Sequence, residues 1–503
     1  MKKQISGGVV LSVIAQTVSI AVGLVFTPVM IRILGQNEYG LYQLVQSVVN
    51  YLSLMNFGFS GAYIRYFSMA KTKGDPQEIA NINGMFMRIF LIISAICLAA
   101  GTVLLFNIHV LGPHLTEADY AVARRLMILM VINLAVSFPG NLFAVYMSAN
   151  ENFVFQKAVG ILINILVPAL TLPLLWWGKG SVGVVAVTLF LTVLRIALSA
   201  WYCLKKLGMK INLRYREKAI FIGLLSYTFF IFLSDMVDLL NTNVDKFLLG
   251  RMIGTVSVAV YSVGFTLTHY YTLVSWIIPE MFVPEANRLA IEEKDDRKLT
   301  KLFTRIGRYN NYICLLVLTG FVLVGREFIQ LWVGDGYENA YAVGVILMAS
   351  GYIPSVQTLG VNIQNAKDKH KMRSLIYFGI ACVNVVCSIF LIRKWGEIGT
   401  SLGTLFAVLL GSGIFMNWYY HRKIGLDIWN FWKAILRWTV PAGLLCAGVW
   451  WIKQQIVIDS WMKILLFAVA YGLLYALLLW TVGLKPEERT RIRSILKKRL
   501  GRA

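Results

Sequence analysis

Apolar runs recur from one end of this 503-residue chain to the other, broken by short polar or glycine-bearing segments. A helix that crosses a bilayer needs about 20 mostly apolar residues. On that measure the runs predict fourteen spans, at 9–34, 39–68, 82–108, 121–149, 155–177, 181–204, 219–250, 255–284, 303–332, 340–365, 372–394, 397–420, 430–452 and 460–483. The first run is too long for the core of a secretory signal, and no small-residue cleavage site follows it, so it is expected to be a span. No hydrophilic insert interrupts the series. The expectation is an all-α integral membrane protein built as one transmembrane unit.

Polar residues inside these runs fall on faces. At about 100° per residue, Asp235, Asp238, Thr242, Asp245 and Lys246 of the seventh span occupy an arc of roughly 100°. Ser12, Gln16, Ser19, Gly23 and Thr27 share a face of the first span, and Gln43, Gln46, Ser47, Asn50 and Arg65 one of the second. The sixth shows Thr188, Thr192, Arg195 and Ser199, and the eighth Ser262, Thr266, His269, Tyr270 and Glu280. Polar groups facing lipid are costly, so these stripes are expected to line a hydrated cleft.

Arg65, Arg88, Arg195 and Lys246 are the basic residues inside predicted spans. They are the candidate cationic lining for an anionic cargo, because a guanidinium grips a phosphate through two parallel hydrogen bonds. Blander readings stay open beside it. Lys246 can pair with Asp238 or Asp245, and Arg65, near the end of its span, can snorkel to the interface. Arg32 lies opposite the polar stripe of its span and is left out. Gln16, Gln43, Gln46, Asn50, Thr266, His269, Tyr270 and Glu280 are the expected polar lining. A lone His such as His269 is also a common structural hydrogen-bonder, and Tyr42 and Tyr270 read equally well as core packing. Asp235, Asp238 and Asp245 are candidates to carry H⁺ or Na⁺, with internal ion pairing as the alternative.

Composition sharpens the class. The chain is 58% hydrophobic and 15% charged, against about 25% charged in a soluble domain. A net charge of +23 raises the question of nucleic acid, and the distribution answers it. With the N-terminus in the cytoplasm, most of the 48 Lys and Arg fall on cytoplasmic segments. Among these are Lys205, Lys206, Lys210, Arg214, Arg216 and Lys218, the series Arg288 to Arg308, Lys367 to Arg373, and the tail Lys485 to Arg502. That is the positive-inside asymmetry of a membrane protein, so both termini are expected in the cytoplasm and no nucleic-acid partner is expected. The six cysteines, Cys97, Cys203, Cys314, Cys382, Cys387 and Cys446, lie in or beside apolar runs without metal-ligand spacing and read as packing residues.

A weak internal repeat is present. In LGQNEYGLYQL (34–44) and IGTVSVAVYSV (253–263), Gly35 and Tyr42 match Gly254 and Tyr261; in SANENFVFQK (148–157) and NAKDKHKMRS (365–374), Ala149 matches Ala366. The offsets predict two lobes, 1–217 and 218–425, then two appended spans within 426–484 and a basic tail, 485–503. Six spans per lobe is an even number, so the repeat is parallel. Transporters move such repeats against each other around a central site. No Walker A loop, metal cluster or Gly-x-Ser-x-Gly elbow appears, so no cofactor and no enzymatic activity are expected.

Four segments carry a family resemblance: RILGQNEYGLYQL, NFGFSGAYIRYFS, NVDKFLLGRMIG followed by AVYSVG, and NAKDKHK. In order and spacing they resemble the polysaccharide biosynthesis flippases of the multidrug/oligosaccharidyl-lipid/polysaccharide exporter superfamily. The resemblance implies two six-helix bundles arranged as a V, with two further C-terminal helices. It implies an oligosaccharide on a polyprenyl diphosphate as cargo, turned from the cytoplasmic to the outer leaflet of the bacterial cytoplasmic membrane. It also implies partners: membrane lipids, a coupling ion such as H⁺ or Na⁺, and a polymerase and glycosyltransferases of the same pathway. A monomer is expected. Arg65, in AYIRYF, and Lys246, in the DK pair, sit in the matching motifs, whereas Arg88 and Arg195 rest on the helical-face argument. The cavity arginines of the lipid II flippases find no match here, which speaks against a peptidoglycan precursor. Three alternatives remain, a multidrug cation antiporter of the same superfamily, a membrane glycosyltransferase or polymerase, and a non-transporting membrane scaffold.

Overall fold

A computed structural model describes residues 2–215, 218–293, 295–367, 369–490 and 494. The Ser12 side chain and all of the tail beyond 490 except Ser494 lie outside the described residues.

Every element among the described residues is helical. In chain order the α-helices are α1 (Lys2–Tyr51), α2 (Phe59–Lys73), α3 (Pro76–Phe106), α4 (Glu117–Ala149), α5 (Phe153–Trp176), α6 (Gly180–Trp201), α7 (Lys218–Met252) and α8 (Thr255–Met281). There follow α9 (Val283–Arg288), α10 (Asp296–Val333), α11 (Glu338–Val356), α12 (Thr358–Ala366), α13 (His370–Val408), α14 (Met416–Tyr419), α15 (Ile428–Lys453) and α16 (Trp461–Leu478). Among the described residues, ten helical stretches are long and apolar enough to cross a membrane. Helix is the expected solution, because it satisfies every backbone polar group within the segment. This is a multi-pass membrane protein.

Two of those stretches, of 60 and 53 residues, exceed a single crossing. Fifty unbroken helical residues would reach about 75 Å, against a hydrocarbon layer of about 30 Å. Glycine resolves the conflict. Helix α1 breaks at Gly35 (φ 74, ψ 172) and α13 at Gly396 (φ 54, ψ −129), conformations in which a side chain would be strained. Both breaks fall where the hydropathy pattern separates consecutive predicted spans. Helix ends carry their own signals. Asp75 caps α3 ahead of Pro76, Thr116 and Asp119 form a reciprocal capping box on α4, and Asp295, Asp427 and Ser460 cap α10, α15 and α16. Each such cap contributes about 1 kcal/mol.

The repeat leaves a backbone trace. Gly35 and Gly254, Gly112 and Gly334, Gly178 and Gly396, and Gly208 and Gly425 all take positive φ, at offsets of 219, 222, 218 and 217 residues. Ala149 and Ala366 are each the last residue of a helix.

The chain forms two compact units, Met1–Ser262 with Tyr377–Gly403, and Val263–Ile376 with Thr404–Ala503. They are discontinuous in sequence, whereas the repeat halves are continuous. The first follows the density of contacts, the second internal similarity.

In the first unit α1 packs on α4, α5, α6 and α7, and α2 on α3, α4 and α7. Small residues permit the close approaches. A Cβ on Gly40 would lie 1.9 Å from the Thr255 carbonyl oxygen, and one on Gly250 would lie 2.5 Å from Leu44. Tyr63, Phe67, Phe86 and Tyr146 fill the space between α2, α3 and α4 with edge and stacked ring contacts.

In the second unit α10 is the hub, packed by α11, α12, α15 and α16. Its core joins Tyr312, Leu315 and Leu323 to Trp438, Ala442, Cys446, Tyr471 and Tyr475. Buried ring polar groups are all engaged there. Trp438 Nε1 donates to Tyr475 Oη (2.9 Å), Tyr475 to the Tyr312 carbonyl (2.8 Å), and Tyr471 to Thr319 (2.7 Å). These bonds fix the last two helices on α10.

Candidate functional site

The polar residues of α7 meet three different surroundings within the first unit. Midway along it, Asp235 and Asp238 are exposed and line a cavity of about 340 Å³ with Ser53, Asn56, Ser137 and Asn141. No basic residue lines that cavity. The Asn56 Oδ1 atom is buried and accepts no hydrogen bond among the described residues. Two carboxylates beside hydroxyl and amide oxygens form an arrangement able to hold a proton or a hard cation.

Further along, Asp245 is fully buried and accepts from Tyr261 Oη of α8 (2.7 Å), with Ser388 Oγ of α13 3.4 Å from its other oxygen. The next residue turns elsewhere. Lys246 is half-buried and its Nζ donates to Gln43 Oε1 of α1 (3.1 Å), while Gln43 Nε2 donates to Tyr39 Oη (2.9 Å). A parallel chain runs one turn away. Gln46 donates to Asn50 (2.7 Å), Asn50 to Asn243 (3.0 Å), and Asn243 to Thr242 (2.9 Å). The interface between α1 and α7 is therefore a polar layer, although both helices are mostly apolar. Such a layer is tolerable in a membrane only where its groups satisfy one another or meet water.

The other cations sit on neighbouring helices of the same unit. Arg65 is exposed on α2, on the face that also exposes Ser68 and Thr72. Arg88 of α3 is half-buried, and its Nε is buried without a hydrogen-bond partner among the described residues. Arg195 of α6 is exposed. It lies about 140° around the helix from Phe190, at about 100° per residue, whereas Phe190 and Val193 belong to the exposed apolar stripe. Arg195 thus stands on the face of buried Thr192 and Ser199, away from the apolar stripe. Gln16 on α1 is half-buried.

Thr266, His269, Tyr270 and Glu280 belong to the part of α8 in the second unit, where Thr266 and Tyr270 are half-buried and His269 and Glu280 exposed. The structure brings Gln43, Gln46, Asn50 and Lys246 together. It separates Asp245 from Asp235 and Asp238, although a single stripe contains all three, because the neighbour of α7 changes along its length.

Sequence reasoning missed Asn243, Tyr261 as the donor to Asp245, Ser388, and the oxygen donors around Asp235. Asn243 carries a signal of its own, a carboxamide in an apolar run and nearly inaccessible. Ser388 carries none, since it lies 143 residues from its partner. Among the described residues, no cluster of three His, Cys, Asp or Glu is placed to hold a metal ion.

Residues 6–278 match the model of the family described as polysaccharide biosynthesis protein. This match takes in more than half of the chain and all four candidate cations. The chain belongs to that family. It is 22% identical over 501 residues to the uncharacterized membrane protein EpsK of Bacillus subtilis (strain 168), covering 94% of each chain. It is 18% identical over 400 residues to a Shigella flexneri protein named as an O-antigen transporter, covering 78% of this chain and 91% of that one. Its fold matches that of the lipid II flippase MurJ in an inward closed conformation, with a TM-score of 0.68 at 13% identity, over 94% of this chain and 98% of that one. At that identity the likeness establishes the fold. The family match agrees with the polysaccharide biosynthesis branch that the four motifs resemble.

Proposed function

We propose that this protein is a flippase that carries a polyprenyl-diphosphate-linked oligosaccharide from the cytoplasmic to the outer leaflet of the bacterial cytoplasmic membrane. Translocation proceeds by alternating access of the lobes 1–217 and 218–425, with both termini in the cytoplasm. The carrying observation is the polar layer between α1 and α7, where Lys246 donates to Gln43 and where Gln46, Asn50, Asn243 and Thr242 form a second chain, inside helices that are otherwise mostly apolar. Polar and charged groups at membrane depth are costly and mark a substrate path or a hydrated cavity. Arg65, Arg88 and Arg195 stand on helices of the same unit, and a diphosphate is the part of the cargo they fit.

The polyprenyl tail stays in lipid while the headgroup crosses. Transport draws on an ion gradient or the membrane potential, and the cavity holding Asp235 and Asp238 is the candidate site for the coupling H⁺ or Na⁺. The family membership and the likeness to a named O-antigen transporter support this cargo class. A transporter has no reacting atoms to position, so no catalytic residue is assigned. The test is depletion of the protein in its own host. Lipid-linked oligosaccharide should accumulate on the inner leaflet. Normal delivery to the outer leaflet after depletion would refute the assignment.

A further inference from the structure

A second cavity lies elsewhere, within the second unit. It measures about 1380 Å³ and is bounded by the N-terminal turns of α10 and α15, by α9, and by the segment that leaves α16. These ends lie together, so the cavity opens at one membrane interface. Its walls carry Arg288, Arg297, Lys298, Lys301, Arg305, Arg308 and Lys485. Five acids line it too, and four of them are already committed. Glu285 pairs with Arg305 at 3.3 Å, Asp296 pairs with Lys367, Asp427 caps α15 through the Asn430 backbone N–H, and Glu488 pairs with Arg308. Among the described residues no carboxylate pairs with Arg297, Lys301 or Lys485. The uncommitted charge of the cavity is therefore positive.

Its floor is closed by an internal ion pair between Arg308 and Glu488. Arg308 is 7% exposed, and its guanidinium reaches both Glu488 oxygens at 2.8 and 3.0 Å and Tyr312 Oη at 3.0 Å. Tyr309 Oη and the Lys485 backbone N–H donate to the same carboxylate, at 3.1 and 2.9 Å. Four contacts thus hold the Glu488 carboxylate, three from Arg308 and Tyr309 of α10 and one from the Lys485 backbone. Above it, Arg297 and Lys301 stand exposed on α10.

We propose that this cavity binds the phosphate group of an acidic phospholipid, with Arg297 and Lys301 as its cationic wall and the Arg308–Glu488 pair as its floor. Basic pockets between membrane helices at the interface are suited to such headgroups. The volume exceeds the range of about 300–1,000 Å³ usual for small-ligand sites, enough for a glycerophosphate head. The segment following α16 would then be held on α10 both by Glu488 and by lipid. The site is separate from the cations of the first unit and stands or falls independently of the cargo proposed for them.

The test uses full-length protein in micelles, titrated with phosphatidylglycerol and read by native mass spectrometry. The R297E/K301E variant reverses two exposed charges and leaves the core untouched. Its affinity for the first bound phosphatidylglycerol should fall at least tenfold. K71E/K73E, with the same change in charge on α2, should bind as the wild type does, and phosphatidylcholine should bind alike to all three. Inorganic pyrophosphate at millimolar concentration distinguishes the sources. Failure to displace the lipid fits a headgroup site, whereas full displacement would reassign the cavity to a soluble phosphate compound and overturn the lipid proposal. Equal loss in both variants, or no loss in R297E/K301E, would also overturn it.

Discussion

At the scale of single residues, α7 separates two kinds of buried polar group. Asp245 is enclosed and donated to by Tyr261, and removing that donor leaves a buried acceptor short of a partner, at a cost of about 1–3 kcal/mol. Tyr261→Phe should therefore lower the thermal unfolding temperature measured in detergent. An unchanged temperature would show that water reaches Asp245. Lys246→Met takes the donor from Gln43 Oε1 and should lower the unfolding temperature by a comparable amount. In variant protein that still folds, it should cut outer-leaflet delivery of lipid-linked sugar at least tenfold, about 1.4 kcal/mol or more. Full delivery by that variant would make Lys246 a structural residue. The polar face of α7 was legible in the sequence because helical periodicity depends only on neighbours along the chain. The partners were not, because Gln43 and Ser388 lie 203 and 143 residues away from Lys246 and Asp245. Nothing local encodes such distances.

At the scale of elements, hydropathy located the helices well, since solvation by lipid is the strongest constraint on where a membrane helix begins and ends. It located the breaks at Gly35 and Gly396 too, where polar and glycine residues interrupt the runs. Close packing was hidden. Gly40 and Gly160 are both helical glycines in the sequence, yet a Cβ at Gly40 would meet the Thr255 backbone at 1.9 Å and one at Gly160 would meet nothing within 4 Å. Gly40→Ala should force α1 away from α8 and cost about 1–3 kcal/mol. Gly160→Ala should be neutral or stabilise by up to about 1 kcal/mol through helix propensity. Thermal unfolding of the two variants side by side checks the contrast, and equal behaviour would contradict the packing described.

The segment after α16 gives a pH-dependent element. Burial works to raise the Glu488 carboxyl, but the Lys485 backbone N–H, Arg308 and Tyr309 together hold it below the usual carboxylate range. A depressed carboxyl contributes its stability above the ordinary glutamate range and loses it as pH falls through the lower folded value. Docking of residues 484–490 should thus be constant from pH 8 to about 5 and weaken only below about 4. Hydrogen exchange of that segment across pH reads the effect directly. Loosening near pH 6 would contradict the Arg308–Glu488 pairing.

At the scale of the whole molecule, four pairs of positive-φ glycines at nearly constant offset extend the faint sequence repeat into the backbone. The alternating access proposed above would use two such equivalent lobes. The proposed class of cargo rests on short motifs, on the family match and on the charge inside the predicted spans. The identity of the sugars has no counterpart in the sequence, because sugar recognition depends on hydroxyl-bonding side chains gathered from distant helices.

The central claim is that cations of the first unit hold an anionic lipid head during its passage. It is tested most directly with purified protein in liposomes and a fluorescent polyprenyl-diphosphate oligosaccharide, whose leaflet is read by quenching from outside. The wild type should move the label between leaflets, and the folded R65A/K246A variant should match protein-free vesicles. A double variant as fast as the wild type would contradict the account.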